Sequence, residues 1–169
     1  FNYYIVKSNL EKQLTLFFSN GCKDYLKFGL PKLYQGIVKK ECLDKVKEIT
    51  GNYFGGLSPD IFAAVSISLV AKKVYVTDYP IIISGVCGES ASIIEGLLKK
   101  NSKMVEDAPH LRNRGEYKWS SLVPYVYTVE TIWADSAIAA ISAMKSEKYL
   151  KHFNIAKLSA YCIHYNKQN

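Results

Sequence analysis

Apolar residues recur along this chain first at helical, then at strand-like spacing, and the rhythm changes several times. Residues 2–7 read as a short strand or a helix start. Ser8 lies three residues before Glu11, the spacing of a capping box, and Leu10, Leu14, Phe17 and Phe18 then share one helical face. Asn20–Gly21 ends that helix. Residues 23–28 fit either state, and Gly29–Leu30–Pro31 is a turn. Lys32–Val38 is expected as a strand and Glu41–Ile49 as a helix with Leu43, Val46 and Ile49 on one side. A loop holding Gly51, Gly55 and Gly56 follows. Ser58 then suits a helix cap, with Pro59 at the first helical position and Asp60 at the second. That helix reaches about Ala71 and is apolar almost all round, so it should be buried. Val74, Tyr75 and Val76 favour extended backbone, which predicts a strand over Lys73–Thr77, with a second over Ile81–Ser84 beyond Pro80.

The remainder is predicted to be mainly helical. A glycine-containing turn at residues 85–90 leads to a helix from Ala91 or Ser92 to Lys100. Asn101–Tyr117 is a polar loop with some local helix. An alanine-rich helix opens at Thr128 or Glu130 and runs to Met144. The last helix spans Glu147–His164 and carries Leu150, Phe153, Ile155, Leu158 and Tyr161. No repeat or low-complexity linker divides the chain. The expectation is one α/β domain over residues 1–169, with a short mixed sheet, several helices and a helical C-terminal part.

Composition narrows the class. The 169 residues suffice for one core, and 49% hydrophobic with 22% charged residues is an ordinary globular balance. Aromatic residues at 13% exclude a disordered chain. Thirteen tyrosines could line a polar ligand groove, since a phenol has a flat face and a hydroxyl; half-buried rim positions explain them equally. The net charge of +7 comes from lysine pairs at 39–40, 72–73 and 99–100 and a cluster over 145–151. Such a diffuse field suits nucleotide sugars, phospholipid headgroups or nucleic acid, and also a plain solvated surface. Cys22, Cys42, Cys87 and Cys162 form no CxxC pair, so a zinc cluster has no support. Scattered cysteines without a secretory signal point to reduced thiols in the cytoplasm. No apolar run attains the roughly eighteen residues of a membrane span.

Three neighbouring segments carry the candidate chemistry. They are Leu30–Pro31–Lys32–Leu33–Tyr34–Gln35–Gly36–Ile37–Val38–Lys39–Lys40, then Gly51–Asn52–Tyr53–Phe54–Gly55–Gly56–Leu57–Ser58–Pro59–Asp60, then Asp78–Tyr79–Pro80–Ile81–Ile82–Ile83–Ser84–Gly85 with Gly88–Glu89–Ser90. In order and spacing this set resembles the acceptor-side half of family 2, GT-A-type glycosyltransferases, over about Leu30–Ser92. The resemblance implies an inverting sugar transfer from a nucleotide-sugar donor to a glycan or lipid-linked acceptor in cell-surface polysaccharide synthesis. It also implies a cytoplasmic setting that extends to the inner face of the membrane, with peripheral membrane association.

By that resemblance Asp60 is the general base, which takes the proton from the acceptor hydroxyl. The residue alone allows a simpler role, as an acidic group complementing the helix dipole. Gly55 and Gly56 could admit an acceptor sugar close to the backbone, or simply serve a turn. Glu89 and Ser90 could bind sugar hydroxyls, or belong to a strand-to-helix connection. His110 and Arg112, in the run His110–Leu111–Arg112–Asn113–Arg114, could grip a pyrophosphate, or form an exposed polar loop. Trp119 could stack on a sugar face, or be core. Lys39 and Lys40 could meet donor or lipid phosphates, or end a solvated segment.

The chain departs from the family in one respect. The family holds a divalent metal, Mg or Mn, and the donor diphosphate on an Asp-x-Asp motif, and no such motif occurs here. Some thirty residues before the matching segment are too few for a nucleotide-binding half, so that half is expected upstream of Phe1, and this fragment alone is expected to be inactive. Two other classes compete. One is a non-catalytic basic α/β module for an anionic partner, although no RNP-like motif supports nucleic acid. The other is a self-association domain built on the alanine-rich helix. A hydrolase is disfavoured, since G-x-S-x-G and HExxH are both missing.

Overall fold

The computed structural model describes residues 3–83, 85, 105–107, 109–111 and 115–168. Among them are five α-helices: α1 (Leu10–Ser19), α2 (Lys40–Thr50), α3 (Pro59–Val70), α4 (Val129–Ala143) and α5 (Ile155–Gln168). Two short strands, β1 (Ile5–Lys7) and β2 (Tyr75–Thr77), pair antiparallel with Val6 opposite Val76. The fold is therefore mixed α/β, and its described sheet is purely antiparallel and two-stranded. No helix among the described residues is long and apolar enough to cross a membrane.

The core is built around α3. Every residue from Ile61 to Ser68 is buried, which is the fate expected of a helix apolar on all sides. The most extensive helix–helix contact of the described residues is between α3 and α4. Ala134, Ala137 and Ala140 of α4 and Ala63 and Ala64 of α3 are all essentially inaccessible, and such small side chains let two backbones approach closely. The alanine-rich face is thus used within the chain and is not left free for self-association. Leu14, Phe17 and Phe18 of α1 close the core from another side. Phe17 meets Tyr25 and Phe28 edge-on, and Phe18 meets Phe153. Helix α2 is amphipathic and buries only Val46 completely.

Four expectations are corrected. Lys32–Val38 is not a strand: the Gln35 N–H donates to the Lys32 carbonyl, the segment turns, and Ile37 is 90% exposed. Residues 81–83 of the expected strand Ile81–Ser84 pair with no strand among the described residues, and Ile83 is 99% exposed. Ser8 does not cap α1, because its N–H donates to Val74 and its hydroxyl to Gly29, which leaves it tied to the strand region; Asn9 caps instead, accepting the Lys12 N–H. The C-terminal helix is interrupted. A 3₁₀ segment (Glu147–His152) comes first, and α5 begins only after Asn154, whose N–H donates to Phe18 at the end of α1 and whose side chain accepts the Lys157 N–H. The helix expected from Ala91 or Ser92 to Lys100 lies outside the described residues.

Other expectations hold. Helices α2, α3 and α4 fall within two residues of their anticipated limits. Thr128 caps α4 reciprocally with Thr131. Within α4, Asp135 is 1% exposed. It accepts the Tyr117 hydroxyl at 2.5 Å and the Ser120 N–H at 2.8 Å, which fastens the loop before α4 to the helix. Burial pushes its carboxyl above the ordinary 3.8, and these two hydrogen bonds offset part of that rise.

A raised folded-state pKa means that the native chain holds a proton which the unfolded chain has already released. Stability from this group is then complete below 3.8 and is lost as pH rises through the folded value. Asp24 and Asp44 are shifted downward and act only below the same limit. Urea unfolding of wild type and Asp135→Asn across this range is expected to show the wild type losing stability relative to the variant as pH rises above 3.8. A pH-independent difference would remove Asp135 from this role.

Candidate functional site

The loop 51–58 brings the chain into α3, and its path is set by one side chain on α4. The Ser136 hydroxyl accepts the N–H groups of both Leu57, at 3.1 Å, and Ser58, at 2.8 Å. Both donors are buried, and a buried unpaired N–H is costly. Gly56 sits directly over the same serine with φ +63°; a Cβ there would lie 3.0 Å from the Ser136 backbone. Gly55 lies against the Phe62 ring, where a Cβ would come within 2.7 Å. Both glycines are therefore required by close approach to protein, and Gly56 by its backbone angle as well.

Asp60 emerges from this loop at the second position of α3, half-buried, as anticipated. Ser58 occupies the cap position, but its hydroxyl makes no cap bond to the backbone; it donates to Asp60 Oδ1 at 2.5 Å. The first turn of α3 favours a negative charge at that point. The charge of Asp60 is felt by two tyrosines. Tyr25, on a 3₁₀ turn (Tyr25–Lys27), is 2% exposed and stacks edge-on against Phe17 and Trp133. Its hydroxyl is pushed well above the ordinary 10, first by burial, then by the charge of Asp60 and by Tyr34. Tyr34, 57% exposed, is raised by burial of its hydroxyl and then by Asp60. The Tyr25 hydroxyl is buried and has no hydrogen-bond partner among the described residues.

The structure thus pairs a carboxylate with a serine hydroxyl at the N-terminal end of α3, within electrostatic range of two phenols. Chemically, such a group can accept a proton at Asp60 and donate a hydrogen bond from the exposed Tyr34. Tyr34 lies in the first of the three candidate segments but is given no role there, and Tyr25 lies outside all three. Tyr25 lies in the stretch that fitted either state, thirty-five positions before Asp60, and no local spacing relates the two.

The other anticipated residues fall as follows. Leu57, Tyr127 and Ile132 form a small second cluster, with Leu111, Tyr117 and Trp119 against it. His110, on a 3₁₀ turn (Pro109–Leu111), sets its ring 6.5 Å from that of Tyr127. Trp119 donates its indole N–H to Val123 and packs on both clusters, so its ring serves the interior. Glu89, Ser90 and Arg112 lie outside the described residues. No group of three or more His, Cys, Asp or Glu that could hold a metal ion is found among the described residues.

Two substitutions test this construction. Ser136→Ala leaves the Leu57 and Ser58 N–H groups buried without their acceptor and is expected to destabilise the fold by about 2–4 kcal/mol in urea titration; a loss below about 0.5 kcal/mol, the range of an ordinary surface change, would refute the pinning role. Tyr25→Phe removes a hydroxyl that satisfies no partner, so its melting temperature should equal or exceed that of wild type. A clear drop would mean that the hydroxyl is engaged.

Compared with family models, with curated proteins and with solved structures, the chain matches none.

Proposed function

We propose that this chain is the acceptor-side portion of an inverting, GT-A-type glycosyltransferase of family 2, with Asp60 as the general base. One observation carries the reading: Asp60 is half-buried at the start of a rigid helix, behind a glycine loop fixed by Ser136 and hydrogen-bonded by the Ser58 hydroxyl. A positioned carboxylate is what the chemistry needs. The Asp60 carboxylate takes the proton of an acceptor hydroxyl as that oxygen bonds to the anomeric carbon of the donor sugar. The nucleoside diphosphate leaves with the electron pair of the broken bond. Tyr34, which is exposed, can hold the acceptor by a neighbouring oxygen, while the buried Tyr25 ring backs the site.

The acceptor in this reading is a glycan or lipid-linked glycan, and the setting is cytoplasmic, at or near the inner face of the membrane. The divalent metal that the family uses finds no fitting donor set among the described residues, so no step is assigned to it here. The second reading, a non-catalytic basic module for an anionic partner, draws on a lysine-lined groove at the opposite end of α3.

Sugar transfer by the full-length protein, across UDP- and GDP-sugars with a divalent metal, separates the two. Wild type should transfer, and Asp60→Asn should lose on the order of a hundredfold or more in rate while its circular dichroism is unchanged. Equal rates would reduce Asp60 to a helix-start residue, and no transfer from any donor would favour the binding module.

A further inference from the structure

A groove of about 910 Å³ lies at the C-terminal end of α3, away from Asp60. Its volume is that of an ordinary small-molecule site. Leu30 and Ile67, each 2% exposed, are deepest, and Val38, Val70 and Ala71 extend the apolar lining. Ile37 lines it too, yet is 90% exposed, an uncovered branched side chain at the lip. Among the described residues, the charges that line the same groove are uneven: Lys32, Lys39, Lys45, Lys72 and Lys73 against Glu41.

These two properties point to one kind of occupant. Five ammonium groups against one carboxylate favour an anion, and the aliphatic depth favours a hydrocarbon chain. A lysine serves a phosphate as a point charge, and the aliphatic depth beside these lysines fits an alkyl chain. Lys32 adds a specific reason. Its ammonium donates to the Phe28 carbonyl at 3.3 Å, and burial lowers its pKa from 10.5, so a nearby anion would relieve a partly desolvated cation.

We propose that this groove binds an anionic amphiphile, a phosphate-headed lipid whose apolar chain lies along Leu30, Ile67 and Val70 and whose phosphate meets the lysines. The site stands independently of Asp60, and Asp60→Asn should bind the amphiphile as wild type does. Failure here and failure of the transferase reading are therefore separable.

The test is calorimetric titration of the full chain with dodecyl phosphate below its micellar concentration, beside dodecyl maltoside and inorganic phosphate. Dodecyl phosphate should saturate one site and bind at least about tenfold more tightly than either comparator, since only it satisfies both halves of the groove. Lys72→Glu with Lys73→Glu should weaken it by roughly tenfold, while Lys12→Glu with Lys118→Glu, the same charge change outside the lining, should not. Equal affinity for dodecyl maltoside, equal affinity for phosphate alone, or equal weakening by both charge-reversed pairs overturns the proposal. If the groove pair loses its circular dichroism, the three-ligand comparison on wild type decides by itself.

Discussion

The two N–H groups held by the Ser136 hydroxyl are the constraint on which the rest of the arrangement depends. Without an acceptor at that place, residues 57 and 58 could not be buried, and α3 could not start where it does. The same contact explains why residue 56 must be glycine, since it crosses directly over the serine at a positive φ. It also locates Asp60, two residues beyond the second of these donors. A hydroxyl seventy-six positions later in the chain thus determines where the carboxylate sits. The close approach of α3 and α4 is the condition for it, and small residues on both helices supply that closeness.

The two ends of α3 differ in kind. At its first turn are a carboxylate and a serine hydroxyl, in keeping with the partial positive charge of a helix N-terminus. At its last turn are aliphatic side chains, and just beyond them Lys72 and Lys73, in keeping with the opposite partial charge there. The body between is wholly buried, so the helix offers chemistry only at its ends.

Much of this was legible in the sequence, and what was not has a physical reason. Helices α2, α3 and α4 announce themselves by period and by cap residues such as Thr128 and the Ser58–Pro59 pair, because those signals are local. Lys32–Val38 reads as a strand from its apolar content, but a strand needs a partner, and a turn closed by Gln35 leaves none. Ser8 and Asn9 are both competent caps; a contact to Val74, sixty-six positions away, decides between them. Asp60 at the second position of α3 could be read from the Pro59 beside it. Tyr25 and Ser136 could not, since each acts through space on a residue that no spacing rule connects to it.

The junction between Phe18 and Asn154 has a consequence for synthesis. Leu14, Phe17 and Phe18 belong to a core that also contains Tyr149, Leu158 and Cys162, and the N–H of Asn154 closes on the carbonyl of Phe18. As the chain leaves the ribosome, the first helix emerges long before the segment that covers it. Its three apolar side chains must wait, exposed or transiently sheltered, while over a hundred further residues are made. Loop closure across that span is slow compared with helix formation, so α1 can form well before the segment that encloses it is in place.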